Sequence, residues 1–330
     1  MTDTVLPILV TGGAGYVGSH ACKALAKAGF EPHTFDDLSS GHRDAVKWGP
    51  LIIGDVRDQQ SLKQALMETG AVAVLHFAGL SDVGESVRDP LPYYDVNIGG
   101  ALALAGAMTE TGVDALIFSS TCAVYGTPKT IPIAESTPLA PINPYGVSKM
   151  SAERIFSDAG AAYGLRTTAL RYFNAAGADP DGEIGERHEP ETHLIPLALR
   201  AALPGAFTLK VMGEDYPTPD GTAVRDYIHV VDLASAHVLA LRKLLAGEPG
   251  QALNLGVGRG FSVAEIVNAV ERVSGRKARR VSAPRRAGDP PILIANPDAA
   301  VAALGWKPAR TAVDDIIADA LKWEQSLVPA

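Results

Sequence analysis

The sequence predicts an α/β protein in which a parallel sheet is covered by helices on both faces. Two observations lead to this fold class. Short apolar runs alternate with amphipathic stretches through the first half of the chain, and a glycine-rich turn directly follows the first run. Strands that are apolar throughout are typical of parallel sheets buried on both sides, and their alternation with helices indicates crossover connections.

Six apolar runs are the strand candidates, and in chain order they are Leu6–Thr11, Glu31–Phe35, Leu51–Ile53, Val72–Phe77, Ala115–Ser119 and Thr167–Arg171. The amphipathic stretches between them predict helices at Tyr16–Ala28, Ser61–Thr69, Ala101–Thr111 and Ser148–Tyr163. A glycine-rich turn between the first strand and the first helix is typical of the Rossmann-type doubly wound sheet. Ligands of such sheets bind at the carboxyl ends of the strands.

The character of the sequence changes after about residue 175. Proline, glycine and charged residues become frequent in 176–192 and 213–224, and the elements between them are shorter. We therefore predict a dinucleotide-binding Rossmann domain over 1–175 and a smaller C-terminal α/β substrate-binding domain over 176–330. Segments around 225–256 are expected to pack back on the first domain. The second domain would cap a cleft at the carboxyl ends of the strands.

Composition excludes several classes of partner. The chain has 330 residues, of which 47% are hydrophobic, and a formal net charge of −8, which argues against nucleic acid or an anionic membrane as a partner. Met1–Thr4 lacks the features of a signal peptide, and no apolar stretch approaches the roughly 18 to 20 residues that span a bilayer. Two cysteines, Cys22 and Cys122, form neither a disulfide framework nor a metal cluster. We expect a cytoplasmic protein without a metal ion.

The glycine-rich turn predicts a nucleotide site. Gly12, Gly15 and Gly18 are spaced three apart, with Tyr16 and Val17 between the last two. Glycines let the backbone turn tightly and approach a pyrophosphate, which is held by the exposed N–H groups of the following helix. A tight strand–helix turn without a ligand is the alternative explanation. A strand before the turn and a helix after it favour the nucleotide.

The second strand ends in acidic residues that indicate which dinucleotide is bound. Asp36 lies 18 residues after Gly18. A carboxylate at this place accepts hydrogen bonds from ribose hydroxyls and repels a 2′-phosphate, which favours NAD over NADP. Asp37 is the alternative residue for this role, a helix-cap role is open for either, and the prediction includes the neighbouring Leu38. Asp55 and Val56 follow the third strand and are placed to meet the adenine, although Asp55 alone is equally compatible with a turn.

Tyr145 and Lys149 are the candidates for acid–base chemistry. They lie four residues apart and hence on one face of a helix, and Thr121 precedes them at the end of the fifth strand. A tyrosine titrates at about 10, and lowering its pKa by about three units requires roughly 4 kcal/mol of stabilisation of the phenolate. An ammonium and a cationic nicotinamide ring in a sheltered cleft provide such stabilisation. The Thr121 hydroxyl would bond the same substrate oxygen.

Several uncommon segments occur together and in order along nearly the whole chain. By these segments the sequence resembles the extended short-chain dehydrogenase/reductase family, and within it most of all the UDP-glucose 4-epimerases. The segments are Val10–Gly18, His76–Leu80, Val83–Ser86, Ser119–Gly126, Tyr145–Lys149, Leu170–Asn174, Tyr216–Val230 and Ala283–Pro291.

The resemblance implies roles for further residues. It implies contacts to NAD by Phe77, Ala78, Gly79, Asn97 and Phe173, in addition to Tyr145 and Lys149. Contacts to a UDP-sugar are implied for Thr121, Tyr145, Asn174, His193, Leu194, Met212, Arg225, Arg286, Asp289 and Leu293. The arginines have a rationale of their own, because guanidinium groups bind a diphosphate through charge-assisted, bidentate contacts. A homodimer through a four-helix bundle is also implied, with the helices 101–111 and 148–163 at its interface.

The activity that the resemblance implies is the inversion of C4 of a UDP-hexose through a 4-keto sugar. A 4,6-dehydratase on the same scaffold carries Asp-Glu directly after the Ser/Thr, but here these positions are Cys122 and Ala123. Epimerases of a UDP-pentose, a UDP-uronate or a UDP-N-acetylhexosamine remain alternatives. A non-catalytic NAD sensor is disfavoured because Thr121, Tyr145 and Lys149 are all present.

Four positions depart from the family pattern. Ser81 stands where relatives often carry a lysine that reaches the cofactor phosphates, so NAD is expected to be held less tightly. Met212 replaces an aromatic residue against the uracil, and His193 stands where relatives often have asparagine. Leu293 is intermediate between the tyrosine that excludes N-acetyl groups and the small residues that admit them. We expect a preference for UDP-glucose and UDP-galactose over N-acetylated sugars.

Overall fold

The structure is a computed structural model that describes residues 5–286 and 288–327. In chain order its strands are β1 (Pro7–Thr11), β2 (Glu31–Asp36), β3 (Leu51–Ile53), β4 (Ala73–His76), β5 (Ala115–Thr121), β6 (Arg166–Tyr172), β7 (Asn174–Ala176), β8 (Leu209–Met212), β9 (Val224–His229), β10 (Ala252–Leu255), β11 (Gly260–Ser262), β12 (Arg280–Ala283) and β13 (Ile292–Leu293). The six predicted strands are confirmed as β1 to β6.

The α-helices of the described residues are α1 (Tyr16–Lys27), α2 (Gln59–Thr69), α3 (Val83–Arg88), α4 (Leu91–Tyr94), α5 (Gly100–Thr111), α6 (Pro144–Tyr163), α7 (Leu194–Ala202), α8 (Val230–Leu245), α9 (Val263–Ser274), α10 (Asp298–Leu304) and α11 (Val313–Leu327). Across the part of the chain that the structure describes, none of the helices combines the length and apolar character needed to span a membrane.

Seven parallel strands form the main sheet, in the order β3-β2-β1-β4-β5-β6-β10. The chain moves outward from β1 to β3 and then returns to β4 on the other side of β1, so the order reverses between β1 and β4. At such a switch point the connections leave in opposite directions and open a crevice at the carboxyl ends of the strands. The predicted Rossmann-type doubly wound fold is confirmed.

Helices cover both faces of this sheet. On one face α1 and α8 pack on each other and on the strands, and Leu25 and Leu241 are fully buried between them. On the opposite face α2, α5 and α6 enclose a second core, in which Leu104 and Phe156 are fully buried. The two layers explain why the strands are apolar on both sides, because each face buries its side chains against helices.

Two helices begin at least two residues earlier than the sequence predicted. Helix α6 begins at Pro144 instead of Ser148, because the side chain of Asn143 caps it by accepting a hydrogen bond from the backbone N–H of Gly146 at 2.8 Å. Proline is well suited to the first helical position, where its missing N–H has no partner to lose. Helix α2 begins at Gln59 instead of Ser61, since Asp58 is its N-cap. Tyr145 and Lys149 therefore both lie inside α6.

The chain after residue 175 contributes both to a third hydrophobic core and to the edge of the main sheet. Strand β9 pairs with β7, β11 and β13, strand β8 pairs with β12, and helices α7, α9 and α11 enclose a third core around Leu199 and Ile316. Strand β10 instead joins the edge of the main sheet beside β6. The division of the chain at residue 175 stays a prediction.

Candidate active site

The glycine-rich turn between β1 and α1 forms one end of a deep cleft. Gly12 has a φ of +73°, and a Cβ atom there would lie 2.5 Å from the backbone nitrogen of Ala78. A Cβ at Gly18 would lie 2.1 Å from the carbonyl oxygen of Gly12. Gly15 is the N-cap of α1 and provides no side chain for the first helical N–H groups. These N–H groups point toward the cleft and suit an anionic group of a ligand.

Asp36 ends β2 on the wall of this cleft. Its carboxylate accepts hydrogen bonds from the backbone N–H of Ala14 at 3.0 Å and of Leu38 at 2.9 Å, which fixes its orientation. Burial raises the pKa of this carboxyl group above its usual value. Asp37 also lines the cleft, and its carboxylate accepts hydrogen bonds from the backbone N–H and the hydroxyl of Ser39. Leu38 adopts a φ of 60° and does not line the cleft.

Asp55 and Val56 line the cleft below β3, as the sequence analysis placed them. The Asp55 carboxylate accepts from the backbone N–H of Arg57 at 2.8 Å and forms an ion pair with the Arg57 side chain. Asp55 therefore closes a local turn and lines the ligand cleft at once. The sequence left two roles open for Asp55, a turn residue and a residue that meets the adenine, and its position is compatible with both.

Asn97 holds the loop after β4 in place. Its side-chain oxygen accepts from the backbone N–H of Leu80 at 2.8 Å, and its nitrogen donates to the Leu80 carbonyl at 3.1 Å and to the Ser148 hydroxyl at 2.8 Å. The loop residues Phe77, Ala78 and Gly79 line the cleft, but Asn97 is buried behind them. Asn97 thus positions the loop, and its contact with the cofactor stays a prediction.

Thr121, Tyr145 and Lys149 meet at the carboxyl end of β5, and all three line the cleft. The Lys149 ammonium donates to the carbonyl oxygen of Ser119 at 2.9 Å and lies 4.9 Å from the centre of the Phe118 ring. Burial lowers the pKa of Lys149 to about 8, with the Glu153 carboxylate opposing the shift. Burial raises the pKa of Tyr145, and the Thr121 hydroxyl opposes that change by a hydrogen bond.

These two shifts have one chemical meaning. Without a ligand the cleft disfavours both the phenolate of Tyr145 and the ammonium of Lys149, because both charged forms have lost water. Additional positive charge in the cleft favours the phenolate, whose pKa then falls. Positive charge beside Tyr145 therefore favours the form of this side chain that accepts a proton.

Hydrogen bonds from β6 and α6 hold the catalytic end of β5, and no sequence pattern predicted them. The Tyr172 hydroxyl lies 2.9 Å from the Ser119 hydroxyl. Arg171 forms an ion pair with Glu153 at 2.6 Å and donates to the Tyr125 hydroxyl at 2.9 Å. Since Arg171, Glu153 and Tyr125 come from β6, α6 and the turn after β5, no local spacing in the sequence indicates that they meet.

The opposite wall of the cleft is built by the second half of the chain. The Arg225 guanidinium is bonded to neighbouring groups of the protein: it forms an ion pair with Asp289 and donates to the Pro290 carbonyl at 2.7 Å. Leu293 is buried beside Cys122. The remaining predicted residues of this wall also line the cleft; they are Phe173, Asn174, His193, Leu194, Met212 and Arg286. The volume of about 610 Å³ is within the usual range of small-molecule sites.

His193 belongs to a cluster that the sequence analysis did not recognise. Its Nδ1 atom lies 2.8 Å from Glu186 Oε1 and 3.0 Å from Glu191 Oε1, and His188 lies close by. Burial disfavours a charge on His193, but Glu186 and Glu191 outweigh it and raise its pKa. The only signal in the sequence is the density of histidine and glutamate in 186–193.

The sequence profile of the NAD dependent epimerase/dehydratase family matches residues 8–256, which include the glycine-rich turn, Thr121, Tyr145 and Lys149. The chain belongs to this family. The resemblance found in the sequence is thereby confirmed, and the cleft is the active-site cleft of an NAD dependent epimerase/dehydratase family member.

Relatives within the family are similar over nearly the whole chain. A UDP-glucose 4-epimerase of Rhizobium meliloti (strain 1021) is 54% identical over 301 residues, which cover 91% of this chain and 92% of that protein. The crystal structure of UDP-glucose 4-epimerase from Brucella ovis in complex with NAD has a TM-score of 0.93 and 49% identity, covering 97% of this chain and 99% of that chain. UDP-glucose 4-epimerase from Bifidobacterium longum, in complex with NAD+ and UDP, has a TM-score of 0.93 and 37% identity, covering 97% and 98%.

Lys149→Met is expected to stabilise the ligand-free protein although it removes a candidate catalytic group. Lys149 is 5% exposed and its pKa is lowered to about 8. One pKa unit corresponds to about 1.4 kcal/mol, so charging this group disfavours folding by on the order of 3 kcal/mol at pH 7. Thermal unfolding of the ligand-free protein should show a melting temperature a few degrees higher for the variant.

The pH dependence gives this prediction its control. A lowered folded-state pKa penalises folding fully below pH 8, and the penalty disappears as the pH rises toward the unfolded value of about 10.4. The gap between the two melting temperatures should therefore close between pH 8 and about 10. Lys243→Met, on an exposed part of α8, should shift the melting temperature little. A gap that is constant with pH would contradict the burial cost.

Proposed function

We propose that this chain is an NAD-dependent 4-epimerase that interconverts UDP-galactose and UDP-glucose. One observation carries the proposal: Thr121, Tyr145 and Lys149 face the same cleft as the glycine-rich turn. An acid–base pair beside a dinucleotide site suits the reversible oxidation of a sugar hydroxyl. The relatives of the chain, at up to 54% identity among those compared, are named UDP-glucose 4-epimerase.

The residues of the first half of the cleft fit NAD. The first N–H groups of α1 have no side-chain cap and suit a pyrophosphate, and the absent side chains of Gly12 and Gly15 let it approach. The Asp36 carboxylate accepts two backbone hydrogen bonds, and its oxygens retain lone pairs for ribose hydroxyls. Its negative charge disfavours the 2′-phosphate of NADP.

In the proposed mechanism Tyr145 accepts and later returns one proton, and the Lys149 ammonium stabilises its phenolate. When bound, NAD⁺ supplies the reversible acceptor for a hydride from C4 and a positive charge that lowers the pKa of the phenol. The Tyr145 phenolate then takes the proton from the sugar 4-hydroxyl, while Thr121 donates a hydrogen bond to the same oxygen. The flat 4-keto sugar turns within the cleft, and Tyr145 returns the proton to O4 when C4 has been reduced on its other face.

The second wall of the cleft fits the nucleotide part of the substrate. The Arg225 guanidinium already bonds Asp289 and three backbone carbonyls, so it positions the segment 289–291 as well as adding charge. Arg286 lines the cleft beside the start of α3 and is the better placed cation for a diphosphate. Met212 offers an apolar contact for the uracil, with less rigid stacking than an aromatic ring. Asn174, Leu194 and His193 complete this wall.

A dehydratase reaction is disfavoured by the chemistry next to Thr121. Removal of water across C5–C6 requires an additional acid and base, but these positions hold Cys122 and Ala123. Burial raises the pKa of the Cys122 thiol to about 12, so it does not exchange a proton near neutral pH. Epimerisation of a UDP-pentose, a UDP-uronate or a UDP-N-acetylhexosamine is the remaining alternative.

The purified chain should convert UDP-galactose to UDP-glucose without added NAD⁺, as followed by proton NMR. Tyr145→Phe should lower kcat by about 10²–10⁴, because it removes the proton acceptor and leaves the ring in place. The matched control is Tyr163→Phe at the far end of the same helix, where the side chain is 70% exposed and the rate should not change.

The same assay separates cofactor retention from function. Conversion only after NAD⁺ is added would support the reaction and show that a chain with Ser81 in place of lysine retains the cofactor weakly. The absence of conversion under both conditions would contradict the proposed substrate. The other UDP-sugars named above would then be tested in the same way.

Leu293→Ala is expected to shift the substrate preference toward UDP-N-acetylhexosamines. Leu293 is buried beside the catalytic end of β5, so the smaller side chain opens space next to the sugar. Hydrophobic contacts of this size change discrimination by about tenfold or more. The ratio of kcat/KM for UDP-N-acetylglucosamine to that for UDP-glucose should rise accordingly. Val124→Ala creates a cavity in the same core cluster behind the cleft wall and should leave the ratio unchanged.

We also propose that the chain works as a homodimer in the cytoplasm. The two cysteines are free and buried, which suits a reducing compartment. Helices α5 and α6 pack side by side, and α5 presents Leu102, 56% exposed, among small residues that allow close helix contact.

Leu102→Arg should convert a dimer to a monomer in sedimentation velocity, because it places an unpaired charge in an apolar contact. Val301→Arg is the control, since Val301 is 36% exposed on α10 at the other face of the sheet. Equal sedimentation of the wild-type protein and the Leu102 variant would contradict this interface.

A further inference from the structure

The loop between β7 and α7 brings four metal-ligating side chains together. They are Glu186, His188, Glu191 and His193, here called the 186–193 cluster, and each provides one ligand atom within 4.8 Å of those of the others. The cysteine count gave no reason to expect a metal ion in this chain. Carboxylates and imidazoles are nevertheless ligands that Zn²⁺ and similar divalent ions use in proteins.

The distances within the cluster match the edges of a coordination tetrahedron. Nδ1 of His193 lies 2.8 Å from Glu186 Oε1 and 3.0 Å from Glu191 Oε1, and Nδ1 of His188 lies 3.4 Å and 3.7 Å from oxygens of the same two carboxylates. Four ligands at about 2.0–2.1 Å from a tetrahedral Zn²⁺ are separated by about 3.3 Å. The four distances lie on both sides of this separation, so small shifts of the side chains would place the four groups around one ion.

Several of these atoms are buried without a hydrogen-bond partner among the described residues. Glu186 is 4% exposed, and its Oε1 atom lies at ion-pair distance from both histidines, 2.8 Å from Nδ1 of His193 and 3.4 Å from Nδ1 of His188, but without hydrogen-bond geometry. Oε2 of Glu191 and Nδ1 of His188 likewise have an ion-pair contact without hydrogen-bond geometry. Buried carboxylate oxygens without a partner are costly. A cation at the centre of the cluster would satisfy all of these atoms.

A second acidic group provides a comparison, because a cationic side chain already lies within it. Asp179, Asp181 and Glu183 also converge, but the ammonium of Lys23 lies among them, 2.7 Å from Asp179 and 2.8 Å from Asp181. Their charge is therefore already compensated by a side chain. Among the described residues, no lysine or arginine lies within ion-pair distance of the 186–193 cluster; its own cationic candidates are the two histidines that also act as ligands.

We propose that the 186–193 cluster binds one divalent transition-metal ion, with Zn²⁺ as the best fit. The two carboxylates compensate the charge of the ion, the two imidazoles bind it after losing the protons that they carry, and the donor set has no requirement for cysteine. The ring of Tyr16 lies edge-on to His188 with 6.4 Å between their centres, so the ion would fix this loop against the first turn of α1. Glu186, His188 and His193 also line the active-site cleft, so the ion would hold this part of the cleft wall in place.

Zn²⁺ binding to the untagged full-length protein tests this proposal. After chelator treatment and desalting, calorimetric titration with ZnCl₂ should show one equivalent per chain, and Co²⁺ should give the visible absorption of a tetrahedral site. His188→Asn and Glu191→Gln should each raise the Kd at least tenfold, because each removes one ligand. Asp181→Asn, in the group that Lys23 occupies, should leave the Kd unchanged.

Thermal unfolding provides the second measurement and controls for folding. Zn²⁺ should raise the melting temperature of the wild-type protein and of Asp181→Asn, and should raise that of the two ligand variants much less. A wild-type protein that binds no stoichiometric metal, or a His188→Asn variant with wild-type affinity, would overturn the proposal. The cluster would then be a network of protonated histidines and carboxylates. These outcomes do not depend on the epimerase activity.

Discussion

The close backbone approach between β1 and the loop after β4 is the constraint on which the rest of the structure depends. The carbonyl oxygen of Thr11 accepts hydrogen bonds from the N–H groups of Phe77 at 2.8 Å and Ala78 at 3.1 Å. This contact leaves no space for a side chain at Gly12, so the turn into α1 lies directly against the loop that leads to the catalytic end of the sheet. The position of the glycine-rich turn relative to the loop after β4 follows from that contact.

The contact is transmitted to the acid–base pair through buried polar groups. A Cβ at Gly79 would lie 2.7 Å from Asn97 Oδ1, so the loop fits Asn97 closely, and Asn97 in turn donates to the Ser148 hydroxyl of α6. Ser148 neighbours Lys149, whose ammonium is held by the carbonyl of Ser119. The dinucleotide end and the catalytic end of the cleft are thus parts of one bonded unit rather than two sites that happen to be near.

Much of the fold was predictable because it follows from local patterns. The alternation of apolar runs with amphipathic stretches predicted the strands and the Rossmann-type sheet. The spacing of Tyr145 and Lys149 predicted that both lie on one helix, which is α6. The start of α6 was missed because a side-chain cap and a proline override weak helix propensity. Leu38 and Asn97 lie off the cleft wall, which the sequence did not indicate. The Arg225–Asp289 pair and the 186–193 cluster were not predicted either. In both cases the side chains belong to irregular or distant segments, where no periodicity in the sequence indicates their direction.

Strand β10 has a consequence for how the protein is made. Because residues 252–255 complete the main sheet and α8 covers one of its faces, a nascent chain that has emerged only to residue 175 leaves the edge of β6 and the core around Leu25 open to water. At about 5–20 residues per second, translation needs on the order of ten seconds to supply the missing elements. During that interval on the ribosome the first half is a natural client for chaperones that shield apolar surface.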